Sequence, residues 1–279
     1  MKTIFTAVVL VTLVSCVSVN MPLPNDFKDH ATRMPVKGMQ GWMVNQKLTF
    51  ANFQTTSVKR GWDFSASVQH TKFRKRPEDY ILKVYNIDTD KRRDNQRFKF
   101  QYAIQDGHLM TEVYATEKFR EEQLVYKSNN PWIGKVHNRQ RYEYAFTAAI
   151  VPLNLRNAEP WSLVIISKSD RSTRSNKYHR PEIQEEGYAT NGREHISISP
   201  MRSGSVLSKN NEAIDVFGGK MFTGYELRID NELTAVVDML DNTVWMHNQL
   251  KPEHKLIVAS IASALLLKRV HEPEQHEVD

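Results

Sequence analysis

Ten histidines, one cysteine and a scatter of serines and acids are the side chains of this 279-residue chain that could do chemistry. Their spacing argues against most of it. The histidines form no His-x3-His pair and no HExxH helix motif, so no metal site is expected. His271 and His276 lie in the acidic tail HEPEQHEVD, which reads as a solvated tail before it reads as a loose cation site. No G-x-S-x-G elbow is present. The stretch RSGSVLS at 202–208 reads as a polar loop, and Gly218-Gly219 as a turn ahead of a strand rather than a phosphate loop. A sole cysteine leaves no partner for a disulfide and no thiolate set for a metal. No cofactor is expected.

Three weaker constellations remain. Glycoside hydrolysis needs two carboxyls at a set separation across a sugar, and Glu112 and Glu143 are acids placed on strands. Each falls on the outward phase of its alternation, where acids ordinarily keep a sheet soluble. Lys72, Arg74, Lys75 and Arg76 form one basic cluster. Lys168, Arg171, Arg174, Lys177 and Arg180 form another, opposed only by Asp170. Such residues suit anionic headgroups, since arginine grips phosphate through two hydrogen bonds. Solvated loop charge is the plain reading of both. Trp132, in the loop-like NNPWIG, is the best exposed aromatic for stacking on a sugar or resting at a membrane interface.

The elements that must position these residues are mainly strands. In QRFKFQYAIQ, Phe98, Phe100, Tyr102 and Ile104 share one face, and Asp106-Gly107 gives a two-residue hairpin signal before HLMTEVYA returns. Tyr142, Tyr144, Phe146, Ala148 and Ile150 repeat the pattern. GYELRI, LTAVVDML and TVWMHN follow as a meander broken at Asp230-Asn231-Glu232 and Asp241-Asn242. One segment departs from period two. KPEHKLIVASIASALLLKRV starts with Pro252, at a position where a first helical turn accepts proline. It ends on Lys268 and Arg269, which suit the helix dipole. Its middle, Leu256 to Leu267, is apolar on every side apart from two serines, so it is expected to be buried on every side. At about 18 Å it is too short to cross a bilayer. The expected fold is mainly β: an antiparallel sheet, barrel or strongly curved, around this core helix near 253–269, in a single domain spanning 33–270.

The order of the last third resembles the tubby-like fold of tubby, scramblase and LURP-type domains: strands Tyr225 to Ile229, Leu233 to Met239 and Thr243 to His247, then the apolar helix. That fold includes lipid-binding and membrane-proximal proteins. No phosphoinositide-binding residue carries over.

At the other end, Lys2 precedes an apolar run from Ile4 to Val14, interrupted only by Thr6 and Thr12 and too short for a permanent span. It is expected to be a signal peptide, residues 1–15. Leu13-Val14-Ser15-Cys16 resembles the lipobox of bacterial lipoproteins. The resemblance implies a diacylglyceryl group on the Cys16 sulfur and, after cleavage, a further acyl chain such as palmitate on its amine. Two or three chains anchor firmly where one is marginal. Val17 is not the aspartate that retains such proteins in the inner membrane, so the resemblance favours export to the outer membrane of the cell envelope. Residues 16–32, with two prolines and no periodicity, read as a tether. Residues 271–279 read as an acidic tail.

The formal net charge is +6, and the tail contributes four acids without any Lys or Arg, so an acidic surface suits the body better than a basic one. These features point to a membrane-anchored binding or envelope-structural module for anionic lipid, envelope glycan or a surface protein. An anchored carbohydrate-active enzyme is the alternative. Nucleic acid is not an expected partner, and an apolar-ligand carrier would need an empty barrel.

Overall fold

A computed structural model describes residues 19–39, 45–61, 96–127, 135–154, 158–170, 184–208, 210, 212–217 and 219–268. Its elements are helix α1 (Asn25–His30) and strands β1 (Ala31–Pro35), β2 (Thr49–Phe50), β3 (Phe53–Thr55), β4 (Lys59–Arg60), β5 (Gln96–Gln105), β6 (Met110–Lys127) and β7 (Lys135–Pro152). They continue with β8 (Trp161–Asp170), β9 (Gln184–Thr190), β10 (His195–Ser203), β11 (Ser205–Leu207), β12 (Ala213–Asp215), β13 (Met221–Ile229), β14 (Glu232–Asp238), β15 (Thr243–His247) and helix α2 (Pro252–Leu267).

The alternation of apolar side chains produces one large antiparallel sheet, in the order β1-β15-β14-β13-β10-β9-β8-β7-β6-β5-β3-β2, with β4 also on β5. Its two ends approach at a bridge between Lys37 and Thr49, with N–H···O distances of 2.9 and 3.1 Å, so the sheet is nearly closed into a barrel. Gly38 follows that bridge at φ +90°, and a Cβ there would lie 1.8 Å from the Lys47 carbonyl oxygen. Only glycine permits this approach of the two edges.

Inside sits α2. Every residue from Leu256 to Leu267 is buried, and the inward faces of the strands, including Phe100, Tyr102, Ile104, Val113, Phe146, Ile150, Leu227 and Val237, pack into the same core. A helix apolar all round is stable in water only when walled on all sides, and the period-two faces supply the wall. The two serines keep hydrogen bonds within this interior. Ser260 Oγ donates to the Leu256 carbonyl oxygen at 2.7 Å and lies 2.8 Å from Thr111 Oγ1, while Ser263 Oγ lies 2.7 Å from the Tyr102 hydroxyl. Burial pushes the Tyr102 hydroxyl well above its ordinary pKa, so it stays protonated.

The pairing gives the barrel two unlike rims. Turns 106–109, 191–194 and 230–231 lie at one, which also receives the start of α2, where His254 meets Glu194 at 2.9 Å. The opposite rim carries the starts of β5 and β9, the end of β8 and the end of α2, and the paired β6 and β7 run on past it to Lys127 and Lys135. We call these the turn rim and the loop rim.

Two sequence expectations need correction. Residues 16–32 were expected to be a tether, but the chain is docked from Asn20 onward. Met21, Leu23 and Phe27 form a second apolar cluster with Val236 on the outside of the sheet, α1 occupies 25–30, and β1 begins at Ala31 rather than after residue 32. Apolar residues spaced by prolines have no period to reveal such docking; long-range packing alone creates it. At Asp106-Gly107 the loop has four residues rather than two. Asp106 Oδ1 accepts the backbone N–H of His108 and Leu109 at 2.9 and 2.8 Å, which holds the longer turn.

Candidate functional site

The most unusual chemistry among the described residues is at the loop-rim end of α2. Lys268 caps the helix there, at 2 % exposure. Its Nζ donates to the Tyr225 hydroxyl and lies 5.5 Å from the Tyr144 ring centroid. The Tyr144 hydroxyl donates in turn to Glu117 Oε2 at 3.3 Å. Glu185 faces the same amine and accepts a hydrogen bond from Ser167 Oγ. Beside them Arg60 Nη2 donates to the Leu267 carbonyl oxygen at 3.0 Å and to Gln46 Oε1 at 3.1 Å, with its guanidinium 5.1 Å above the Phe100 ring.

Two cations thus meet the negative end of the helix dipole inside the barrel, and two carboxylates balance them. Burial lowers the Lys268 pKa, while Glu185 and then Glu117 oppose the shift. A desolvated amine of this kind is the raw material of carbonyl chemistry. Here, however, it is almost wholly enclosed and bonded to a tyrosine, and neither cleft described below is lined by it. The cluster ends the helix and seals the rim.

Two clefts among the described residues open on the outer surface. The larger, about 560 Å³, lies at the turn rim among Asp26, Phe27, His30, Arg228, Glu232 and His247, with other residues of α1 and the β14 and β15 ends. Arg228 is already held by Glu226 through two contacts of 3.1 Å, and this pairing pushes its pKa up. Asp26 and Glu232 both stand in solvent, whereas glycoside hydrolysis asks one of its carboxyls to sit in a desolvating pocket. The smaller cleft, about 210 Å³, is lined by Thr56, Ser57, Lys59, Gln101, Glu112 and Tyr114 among others. There Glu112 accepts the Tyr114 hydroxyl at 2.7 Å. Desolvation, and next the hydrogen bond to Glu112, pushes the Tyr114 hydroxyl far up.

The pair Glu112 and Glu143 fails as a catalytic dyad. Glu112 is opposite Val151, whereas Glu143 is opposite Arg120 on the same ladder. Eight residues along a strand are about 26 Å, against the roughly 5 to 9.5 Å that glycosidases use. Glu112 is on the outward phase as expected, yet it is only 6 % exposed, because the β3 to β4 segment and Tyr114 crowd it. No group of three or more His, Cys, Asp or Glu side chains suited to a metal occurs among the described residues.

Cys16, Lys72, Arg74, Lys75, Arg76, Trp132, Arg171, Arg174, Lys177 and Arg180 lie outside the described residues, as do His271 and His276. What is described is where their flanks sit. Arg60 and Gln96 bracket the first basic cluster, Lys127 and Lys135 bracket Trp132, and Asp170 and Gln184 bracket the second cluster after Lys168; all six lie toward the loop-rim side, with the Lys127–Lys135 end of β6 and β7 about 26 Å beyond the Gln96–Phe119 pair. Asn20, the described residue nearest Cys16 with a strand partner, pairs with Leu207 at that rim too. Sequence reasoning missed two things here. Glu117 continues the inward phase of Thr111, Val113 and Ala115, a signal present in the alternation. The segment 205–221 carries exposed apolar residues where only a polar loop and a turn were expected.

No family model matches the chain, and no curated protein or solved structure matches it.

Proposed function

We propose that this protein is a lipid-anchored envelope module that binds through its outer surface, with the loop rim turned toward anionic headgroups. One observation carries the reading: the strand ends flanking both basic clusters and Trp132 lie toward the same side of the barrel as Asn20, four residues after Cys16. Four extended residues reach at most about 14 Å, so an acylated Cys16 would hold that rim close to the bilayer. Each basic side chain near an anionic surface then adds about 1 kcal/mol. The larger cleft opens at the other rim, about 30 Å away along the nine residues of β13, and faces an envelope glycan or surface protein.

Two further points support a binding role. The helix fills the lumen, which leaves no space for an apolar cargo. A nearly closed barrel around an apolar C-terminal helix also keeps the resemblance to the tubby-like fold, whose members include membrane-proximal proteins, as part of this proposal. No helix among the described residues is long and apolar enough to cross a membrane, so on this reading attachment is by acyl chains.

Fractionation of the Cys16→Ala chain tests the anchor. The expected result is loss of acyl labelling and release from the envelope membrane. Unchanged processing and membrane retention would remove the basis for the reading.

A further inference from the structure

Among the described residues, the large apolar side chains left exposed are Ile214, Phe217 and Met221, at 43, 103 and 36 %. All three fall within eight positions, on and just after the β11–β12 hairpin. The contrast with the rest of the chain is sharp: Phe27, Phe50, Phe53, Phe100, Phe146 and Phe222 are all buried. Scattered single apolar residues need no explanation, but three within eight positions, on β12, just after it and at the start of β13, mark a contact surface.

The position of the hairpin says what contacts it. β11 and β12 pair antiparallel, Val206 opposite Ile214, and Asn20 adds to the free side of β11 through mutual hydrogen bonds with Leu207 of 2.8 and 2.9 Å. Asn20 is therefore a third strand position, about 10 Å from β12. The chain beyond it, back through Cys16 to the apolar run at Ile4 to Val14, leaves from the hairpin's own edge. A membrane that holds this N-terminal stretch is thereby brought close to the hairpin, whose Val216 N–H bonds the Gly204 carbonyl oxygen at 2.8 Å just before Phe217. By sequence the hairpin and its flanks carry Arg202, Lys209 and Lys220 against Glu212 and Asp215, a net of only +1. Its attraction to a bilayer would therefore be mainly apolar and only weakly sensitive to salt, unlike that of the basic clusters.

We infer that the β11–β12 hairpin is a membrane-insertion element, with Ile214, Phe217 and Met221 entering the headgroup region of a phospholipid bilayer beside the anchor. Trp, Phe and other amphipathic or apolar side chains settle at this boundary, and burying a phenylalanine there strengthens binding about tenfold or more. The inference rests on the membrane-facing rim of the proposed function and deepens it.

The test uses the full acylated chain on vesicles of phosphatidylethanolamine and phosphatidylglycerol. An environment-sensitive dye is placed on the thiol introduced by Phe217→Cys, with Arg193→Cys at the turn rim for comparison. The thioether at Cys16 leaves one reactive thiol, so double labelling would itself show that the anchor reading is wrong. In that case the dye experiment runs in the Cys16→Ala background and still judges the hairpin. The expected result is a blue-shifted emission at position 217, persisting in 0.5 M salt, with none at 193. Ile214→Asp with Phe217→Asp should lower vesicle binding of the Cys16→Ala chain about tenfold or more. Water-like emission at 217 on membrane-bound protein would overturn the inference, as would an equal shift at 193. A shift that needs no vesicles and grows with protein concentration would also overturn it, making the patch a contact between copies.

Discussion

Lys268 Nζ lies 4.6 Å from the Tyr225 ring centroid while donating to its hydroxyl, which puts a buried cation at the hydroxyl end of a fully buried tyrosine. The two come from opposite layers: Tyr225 from the wall and Lys268 from the enclosed helix. Their bond, with Glu117 and Glu185 behind it, joins the end of the helix to the barrel.

Lys268→Met is therefore expected to cost about 3 to 5 kcal/mol in urea unfolding, because two carboxylates would lose their buried cation. Removing charge on both sides, Lys268→Met with Glu117→Gln and Glu185→Gln, should recover most of it. The lysine's lowered pKa means that the unfolded chain holds its proton to higher pH, so the wild-type protein gains stability as pH climbs toward the ordinary lysine range. The Met variant should lack that rise. An additive triple variant would show that the charges do not interact.

Tyr102 and Ser263 offer a neutral counterpart. Their oxygens are 2.7 Å apart, and Ser263 Oγ also donates to the Ser260 carbonyl oxygen at 3.0 Å, so Tyr102→Phe removes one bond without stranding the serine and should cost about 1 kcal/mol. Ser263→Ala should cost less in that background than in the wild type, since only its bond to the Ser260 carbonyl remains to be lost. A double-mutant cycle in chemical denaturation reads the coupling, and zero coupling would remove the bond from the account of helix burial.

Much of this interior was legible in the sequence. Phe100, Tyr102 and Ile104 face inward because a strand turns every second side chain the same way, and Leu256 to Leu267 has no polar side to expose. Lys268 was legible as a helix-end cation, but its burial was not. That depends on strands β6, β9 and β13 bringing Glu117, Glu185 and Tyr225 together from distant parts of the chain. The N-terminal docking of Met21 and Phe27 was hidden for the same reason. The basic clusters were legible as charge alone, and what the topology adds is that their flanking strands end toward one side of the barrel.

Closure of the barrel depends on Gly38. With φ at +90° and the Lys47 carbonyl oxygen 1.8 Å from the place of a Cβ, Gly38→Ala forces the edges apart. A loss of about 2 to 4 kcal/mol is expected, together with faster amide exchange at Lys37 and Thr49. Protection at those two amides unchanged from wild type would mean that the bridge does not close the sheet.

Asp238 couples the docked N-terminal segment to pH. Its Oδ2 accepts the Met21 N–H at 3.2 Å and its Oδ1 the Leu240 N–H at 2.9 Å, on a carboxyl that is 2 % exposed. Desolvation raises its pKa to about 6, with the backbone N–H groups opposing and Asp241 adding to the rise. Since the folded value exceeds the unfolded one, the native state binds the extra proton. Stability from this group is fully present below about pH 4 and is lost as pH rises through about 6. The difference is about 2 to 3 kcal/mol between the two limits. Asp238→Asn should flatten the decline between pH 4 and 7 in thermal or urea unfolding, whatever its effect on absolute stability. It should also loosen residues 19–24 in hydrogen exchange, because an amide presents only one oxygen where the carboxylate presents two. A decline of the same slope in the Asn variant would assign the pH dependence to another group.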